Sequence, residues 1–201
     1  MSQYDTARTY LLTVDPILGK IIQIIPPFEK ETKKGESFIK LVDEIVGQQL
    51  SGKVADVIFA RFLTLFPDNK ITPDSVLKLE DQAIRDVGMA WSKVRSVKDL
   101  ALKVSNKEVI LDKLNTLSDE DIIIELTKVK GIGRWTAEMF LMFHLDRQDI
   151  FSHGDYGLRK AIKFLYNLPE LPTQEQAEKI AHVWSPYRTL ASQYLWRSLD
   201  I

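Results

Sequence analysis

Apolar residues recur every three or four positions along most of the chain, the spacing that places side chains on one face of an α-helix. No stretch alternates apolar and polar residues over the length of a half-buried strand. The pattern therefore predicts an all-α fold of about a dozen short helices, without repeats. The predicted helices cover residues 4–12, 15–25, 37–50, 80–87, 92–104, 158–167, 173–183 and 185–199, and three more begin at Ser51, Thr72 and Ser118.

Several helix ends carry typical capping residues. Asp15-Pro16 combines a side-chain cap with a proline in the first turn, and Ser118 precedes an acidic first turn. Pro26-Pro27 ends one helix and Gly88 closes another, while residues 28–36 are charged and predict a loop. In the helix that begins at Ser51, the spacing predicts these inward side chains: Val54, Val57, Ile58, Phe62 and Leu65.

A short turn between two apolar runs contains the most informative residues of the chain. Gly131 and Gly133 allow backbone geometries that a side chain would block, and they leave amides bare at the start of the following helix. A helix N-terminus carries partial positive charge and binds anions such as phosphate. Lys128, Lys130 and Arg134 add full charges around the turn. The alternative is an ordinary helix cap followed by a sharp turn.

Composition limits the class of protein. The 201 residues suit one domain or two packed lobes, and the 45% of apolar residues suffice for a core. The net charge of −1 and the isoelectric point near 6.3 are unusual for a nucleic-acid binder. Any DNA-binding surface must therefore be a local patch, and its binding should be moderate and sensitive to salt.

The chain has no cysteine, which excludes disulfides and thiolate-bound zinc or iron–sulfur clusters. His144, His153 and His182 match no common metal-binding spacing, and we interpret them as surface or packing residues. There is no apolar signal core and no run as long as a membrane span. We expect an intracellular protein, in the cytoplasm or nucleoid of a prokaryote or the nucleus of a eukaryote.

The turn and its flanks resemble a known motif. Leu126-x-x-Val129-x-Gly131-Ile132-Gly133-x-x-Thr136-Ala137 is similar to the helix-hairpin-helix of the DNA glycosylase superfamily, alkylpurine branch (the 3-methyladenine DNA glycosylase II type). Segments 45–51, 88–101, 151–158 and 184–196 also resemble that family, in the same order. The resemblance implies two helical lobes, 36–150 and 1–35 with 151–201, with the hairpin and Asp155 facing a cleft between them.

The resemblance assigns the catalytic residue. Asp155 occupies the place of the family's catalytic aspartate, where a carboxylate stabilises the positive charge that develops on the sugar, or orients water. The residues alone favour an ordinary N-cap, because Gly157 and a helical run follow Asp155, and only the family resemblance reverses this interpretation. Asp149, the nearest competitor, we interpret as a loop or capping carboxylate.

Three residues are expected to form a base pocket: Trp135, Met139 and Trp196. Electron-rich rings suit cationic methylated purines, although each of the three could instead pack in the core. The bifunctional relatives have a nucleophilic lysine at the position of Trp135. An indole cannot form a Schiff base, so the resemblance implies hydrolysis without strand cleavage.

The remaining expected contacts concern the DNA backbone. The hairpin set is Lys128, Lys130, Gly131, Gly133, Arg134 and Thr136, joined by Gln48, Gln49 and Ser51 from the first matching segment. One glutamine should fill the gap that a flipped base leaves, and we favour Gln49. The resemblance also implies a sodium or potassium ion on hairpin backbone carbonyls, with no side-chain metal ligands and no other cofactor.

Together these observations predict a monofunctional DNA glycosylase that flips and excises alkylated purines from double-stranded DNA in base excision repair. We expect a monomer that does not bind membranes. Two alternatives remain open: a glycosylase of the same fold for another damaged base, and a non-catalytic helix-hairpin-helix DNA-binding module.

Overall fold

The computed structural model describes residues 3–28, 35–67 and 70–201. These residues form twelve α-helices and no β-strand, which confirms the predicted all-α fold for this part of the chain. The helices are α1 Gln3–Val14, α2 Pro16–Ile24, α3 Ser37–Gly47, α4 Gly52–Leu63, α5 Pro73–Lys78, α6 Asp81–Asp86, α7 Trp91–Ser105, α8 Asp119–Thr127, α9 Arg134–Phe143, α10 Tyr156–Leu165, α11 Gln174–Ala181 and α12 Arg188–Arg197. Short 3₁₀ turns cover Leu111–Thr116, His182–Trp184 and Ser198–Asp200. Across the described ranges, no helix has the length and apolar character needed to cross a membrane.

The predicted caps form where the sequence places them. Asp15 accepts the amides of Ile17 and Leu18 at 3.0 Å, and Thr72 and Ser118 each accept an amide three residues on. Asp15 does more than cap, because its second oxygen accepts bonds from the indole of Trp184, at 2.7 Å, and the hydroxyl of Tyr166. The predicted end of α4 at Pro67-Asp68-Asn69 falls partly outside the described residues.

The chain divides into two compact units, one of Met1–Lys33 with Leu141–Ile201 and one of Lys34–Phe140. The second boundary therefore falls inside α9, whereas the predicted lobes placed it at residue 150. The core of the first unit includes Leu11, Leu18, Ile22, Phe151, Leu158, Ile162, Trp184, Tyr194 and Leu195.

In the second unit, α7 packs against both α3 and α5. Lys93 of α7 reaches the last turn of α3, where its ammonium donates to the carbonyl of Val46 at 2.8 Å. Burial lowers the pKa of Lys93. This lysine from the predicted middle signature therefore fixes the end of α3, from which Gln48 projects.

The predicted inward face of α4 is wrong at two positions. Val54 and Val57 are 46% and 50% exposed, whereas Phe62 is buried. The helix is rotated because its contacts lie elsewhere: Ala55 faces Gly47, and Ile58 faces Gly88. Periodicity indicates that a helix has faces, but the tertiary partner decides which face is covered.

Candidate nucleic-acid interface and active site

The turn between α8 and α9 forms the predicted hairpin. Gly131 adopts φ +84°, a backbone conformation that L side chains rarely adopt. A Cβ at this position would lie 2.2 Å from Oγ of Ser96 on α7. The fold therefore requires glycine at 131 for two reasons, backbone conformation and space.

Gly133 differs from Gly131, and the prediction that its backbone needs glycine is wrong. Its φ is not in the positive range, and a Cβ there would meet no atom within 4 Å. The protein has room for a side chain at position 133. Because glycine has none, open space remains beside the first turn of α9. An outside group can approach the backbone closely there.

The hairpin amides fall into two groups. The amide of Lys130 donates to Asp99 Oδ2 at 2.7 Å, and that of Ile132 donates to the Val129 carbonyl at 3.1 Å. Within the described ranges, the amides of Gly131 and Gly133 have no acceptor. The turn thus presents two amides that an anion can use.

One face of α7 holds the turn in place. Asp99 accepts the Lys130 amide and pairs with the Lys103 ammonium at 2.9 Å, and Lys103 also donates to the carbonyl of Lys128. Burial opposes ionisation of Asp99, but the bonds from Lys103 and the Lys130 amide outweigh it and lower the pKa of Asp99. Neither Asp99 nor Lys103 was selected as a site residue, because their contacts join parts of the chain that are distant in sequence.

Gln48 supports the same turn from the end of α3. Its side-chain amide donates to the Gly131 carbonyl at 2.9 Å and to Oγ1 of Thr136 at 3.2 Å. Thr136 is only 4% exposed, so its hydroxyl serves this contact inside the second unit. The structure thus brings Gln48, Gly131 and Thr136 together.

The residues after Gln48 project outward. Gln49 is exposed with φ +59°, a left-handed conformation that ends α3 earlier than predicted. Ser51 stands at the N-cap position of α4, which confirms the predicted start of this helix, but its side chain accepts no amide. Gln49 and Ser51 are therefore surface residues next to the supported hairpin.

Two of the three hairpin cations are paired with carboxylates of the protein. Lys128 pairs with Glu125. Arg134 forms a bidentate pair with Glu120, at 2.9 and 2.8 Å, and donates to the buried Glu138 at 3.0 Å. The bond to Glu120 raises the pKa of Arg134. Arg134 therefore has to leave or share Glu120 in order to bind a phosphate.

Asp155 is the N-cap of α10, as its local sequence predicts, and it has a second contact. Its Oδ1 accepts the amide of Leu158 at 2.7 Å and the indole N–H of Trp196 at 3.0 Å. A Cβ on Gly157 would come within 3.1 Å of that oxygen and 3.2 Å of the Trp196 ring. Glycine at 157 therefore leaves room for the carboxylate and indole to meet.

Asp149 has a separate task, which agrees with its interpretation as a loop carboxylate. It pairs with Arg188 at the start of α12, with Nε–Oδ1 at 2.8 Å, and accepts the hydroxyl of Ser185 at 2.8 Å. Thr189 adds a bond to the carbonyl of Arg147. These contacts tie the segment that precedes the Asp155 loop to α12, which also carries Trp196.

The three expected pocket residues have different environments. Trp135 is 45% exposed and Met139 only 6% exposed, and both belong to the second unit. Trp196 belongs to the first unit, where its ring lies 6.0 Å from that of Phe143 at an interplanar angle of 36°. Phe143, which the sequence analysis did not select, is a half-exposed neighbour of the Trp196–Asp155 pair.

In the described part of the chain, no three His, Asp or Glu side chains cluster as metal ligands. The backbone carbonyls of the turn are of the hard oxygen type that a monovalent cation prefers. Those of Lys128 and Gly131 already accept bonds from Lys103 and Gln48. A cation in this turn would have to share these oxygens or use neighbouring carbonyls.

The chain is similar to known proteins along almost its whole length. The chain is 30% identical over 196 residues to DNA-3-methyladenine glycosylase 1 of Schizosaccharomyces pombe, covering 96% of this chain and 86% of the relative. A solved structure of the S. pombe 3-methyladenine DNA glycosylase Mag1 in complex with abasic DNA superposes with a TM-score of 0.87 at 29% identity, covering 98% of this chain and 97% of the other.

A second solved structure, the DNA-3-methyladenine glycosidase of Bacillus halodurans, gives a TM-score of 0.83 at 33% identity and covers 95% and 88% of the two chains. The family model of the HhH-GPD superfamily of base excision DNA repair proteins matches residues 42–186, a segment that includes both the hairpin and Asp155. The chain therefore belongs to the HhH-GPD superfamily of base excision DNA repair proteins.

Proposed function

We propose that the protein is a monofunctional DNA glycosylase that removes alkylated purines of the 3-methyladenine and 7-methylguanine type from double-stranded DNA in base excision repair. The observation that carries the proposal is Asp155, a carboxylate held by a helix amide and an indole N–H at the family's catalytic position. The relatives named for 3-methyladenine support the substrate class. The protein would act as a monomer inside the cell, in the compartment that contains the cell's DNA.

Binding begins at the hairpin. The amides of Gly131 and Gly133 receive a backbone phosphate, and the partial positive charge of the α9 N-terminus favours it. A phosphate contact carries no information about the base, so this step positions the enzyme on any duplex. Lys130, Lys128 and Arg134 contribute charge, and Ser51 lies on the same outward segment as Gln49. A sodium or potassium ion on the turn carbonyls is a further part of the proposal.

The damaged nucleotide then leaves the base stack. A flipped base leaves a gap that has to be filled. Gln49 is the better candidate of the two glutamines, because Gln48 is already used in holding the hairpin while Gln49 is exposed. Trp135, Met139 and Trp196 are the proposed pocket residues, whose rings would attract the positive charge of a methylated purine.

Cleavage of the glycosidic bond needs little help from an acid. A purine alkylated at N3 or N7 carries positive charge and leaves as a neutral base, taking the bonding electrons. Positive charge then builds on the sugar, and the Asp155 carboxylate stabilises it or orients the water that attacks C1′. Since Trp135 offers no amine at the lyase position, the product is an abasic site in an intact strand.

The experiment is a panel of duplexes, each with one defined lesion, incubated with wild-type protein and analysed for released base. We expect release of methylated purines and much slower release of 8-oxoguanine or hypoxanthine. Release of an oxidised or deaminated base alone would favour the glycosylase for another lesion. Binding without release of any base would favour the non-catalytic module and overturn the proposal.

A further inference from the structure

The phosphate-binding turn is not held by its own backbone alone. Three side chains on one face of α7, at positions i, i+3 and i+7, lie against it: Ser96, Asp99 and Lys103. Ser96 fills the space next to Gly131, Asp99 holds the Lys130 amide, and Lys103 holds the Lys128 carbonyl. The turn is thereby fixed on both sides of the Lys128–Gly131 segment.

The presence of the Asp99 carboxylate beside the hairpin turn needs an explanation. A negative charge beside a phosphate-binding turn repels the ligand, so binding alone would select against Asp99. Its charge is offset by Lys103 at 2.9 Å, which leaves the pair close to neutral. What Asp99 supplies is therefore an acceptor for one specific amide, which removes Lys130 N–H from the set that can reach a phosphate.

We infer that Asp99 and Lys103 are positioning residues for DNA binding, which fix the turn so that the amides of Gly131 and Gly133 face the phosphate. The inference rests on the proposed function, since it assumes that the hairpin binds DNA. It assigns no contact with DNA to either side chain.

Two other roles would give different results. Lys103 could bind a phosphate directly, in which case its removal would reduce the salt dependence of binding by about one unit of slope. Asp99 could serve general stability alone, in which case its loss would reduce the folded fraction without changing the affinity of the molecules that fold.

The probe is a duplex with a tetrahydrofuran abasic-site analogue, which the enzyme cannot process. Its dissociation constant is measured at several salt concentrations, and single-turnover base release from methylated duplex is measured at saturating enzyme. We expect Asp99→Ala to weaken binding on the order of tenfold, the loss of one charge-assisted hydrogen bond, while the saturated rate stays within about twofold. Asp99→Asn keeps an acceptor for the Lys130 amide and should restore most of the affinity.

Lys103→Met should weaken binding several-fold, roughly as one lost hydrogen bond, with an unchanged salt slope. The matched control is Lys98→Met, on the same helix, because Lys98 holds the carbonyls of Leu77 and Leu79 and pairs with Asp81, away from the hairpin. It should leave affinity unchanged. Should Asp99→Ala fail to fold, Lys103→Met against Lys98→Met decides the question.

The inference is overturned if Asp99→Ala binds as tightly as wild type, if Asp99→Asn is as weak as Asp99→Ala, or if Lys103→Met lowers the salt slope by one unit. Because the probe measures binding without base release, the two proposals fail separately. If the wild-type protein released no base, yet bound the probe with an affinity that falls in Asp99→Ala, the enzymatic function would be contradicted and the positioning role supported.

Discussion

Asp155 is a helix cap, and its carboxylate has a second contact that capping does not require. It caps α10 through Leu158 and also meets the indole of Trp196. Asparagine is as good a helix cap as aspartate, so Asp155→Asn removes the charge and keeps the local structure. We predict a variant that folds and binds abasic duplex like wild type but excises base on the order of 100-fold more slowly or worse. Single-turnover release from methylated DNA is the measurement.

Asp149 provides the comparison on the same loop. Its carboxylate pairs with Arg188 and accepts a hydrogen bond from the hydroxyl of Ser185. Asp149→Asn should therefore weaken the attachment of this segment to α12. We expect a loss of stability of about 1–3 kcal/mol and a milder effect on the excision rate below the melting temperature. Excision by Asp155→Asn at the wild-type rate would mean that Asp155 is only a cap.

If Arg134 contacts DNA as proposed, Glu120 competes with phosphate for its guanidinium. The pair is bidentate but exposed, so it is weak enough for a phosphate to replace. Glu120→Gln should therefore tighten binding to lesion and undamaged duplex alike by about two- to fivefold at low salt. Dissociation constants measured by fluorescence anisotropy provide the test.

Glu175→Gln is the control for this gain, because Glu175 forms an even more exposed pair with Lys179 on α11 and its loss changes net charge by the same amount. Affinity should stay the same in that variant. Equal gains in both would assign the effect to net charge, and no gain in Glu120→Gln would exclude Arg134 from the DNA contact.

Among the structural elements, the hairpin allows a clean separation of fold from binding. Gly133→Ala meets no atom of the protein and should leave the free energy of unfolding unchanged within about 0.5 kcal/mol. The new methyl group lies beside the bare amides, so it should weaken binding to damaged and undamaged duplex equally. The measurements are thermal unfolding and duplex affinity.

Gly131→Ala should behave differently, because the strained φ and the contact with Ser96 cost stability, on the order of 1–3 kcal/mol, as well as affinity. If Gly133→Ala is stable and binds DNA normally, the hairpin amides do not contact phosphate.

Local signals in the sequence predict elements well. Three helices begin at the positions that a cap residue and the following turn predict: Asp15, Thr72 and Ser118. The exposed Val54 and Val57 show the limit, since a helical period is the same whichever face is covered. The last turn of α3 is a second limit, because the left-handed conformation of Gln49 has no unique signal in a non-glycine residue.

Site contacts between distant parts of the sequence could not be predicted. Gln48 reaches Gly131 across 83 positions, and Asp99 reaches Lys130 across 31. The family resemblance identifies Gly131 and Asp155, whereas these supports depend on how α3 and α7 pack against the turn. The resemblance likewise pointed to Trp196 as a pocket residue, but only the structure shows its bond to Asp155.

For the molecule as a whole, a net charge of −1 restricts how it can bind DNA. A few phosphates at the hairpin should release few counterions, so log K against log salt should have a slope of about −2 to −4. Titration of abasic duplex between low and physiological salt measures it. A slope steeper than about −6 would require a broad basic interface and would contradict binding through a few phosphates at the hairpin.

The proposed reaction is tested by a duplex with one 7-methylguanine, incubated with wild-type protein or Asp155→Asn in two parallel samples, one without and one with borohydride. Released base and the labelled strand before and after hot alkali are measured without borohydride, because borohydride would make an abasic site resistant to alkali, and covalent protein–DNA adduct is measured with borohydride. We predict that wild type releases the base, that the strand stays intact until alkali is added, that no adduct forms, and that Asp155→Asn releases almost nothing. A trapped adduct with strand cleavage before alkali, or full release by Asp155→Asn, would contradict hydrolysis assisted by Asp155.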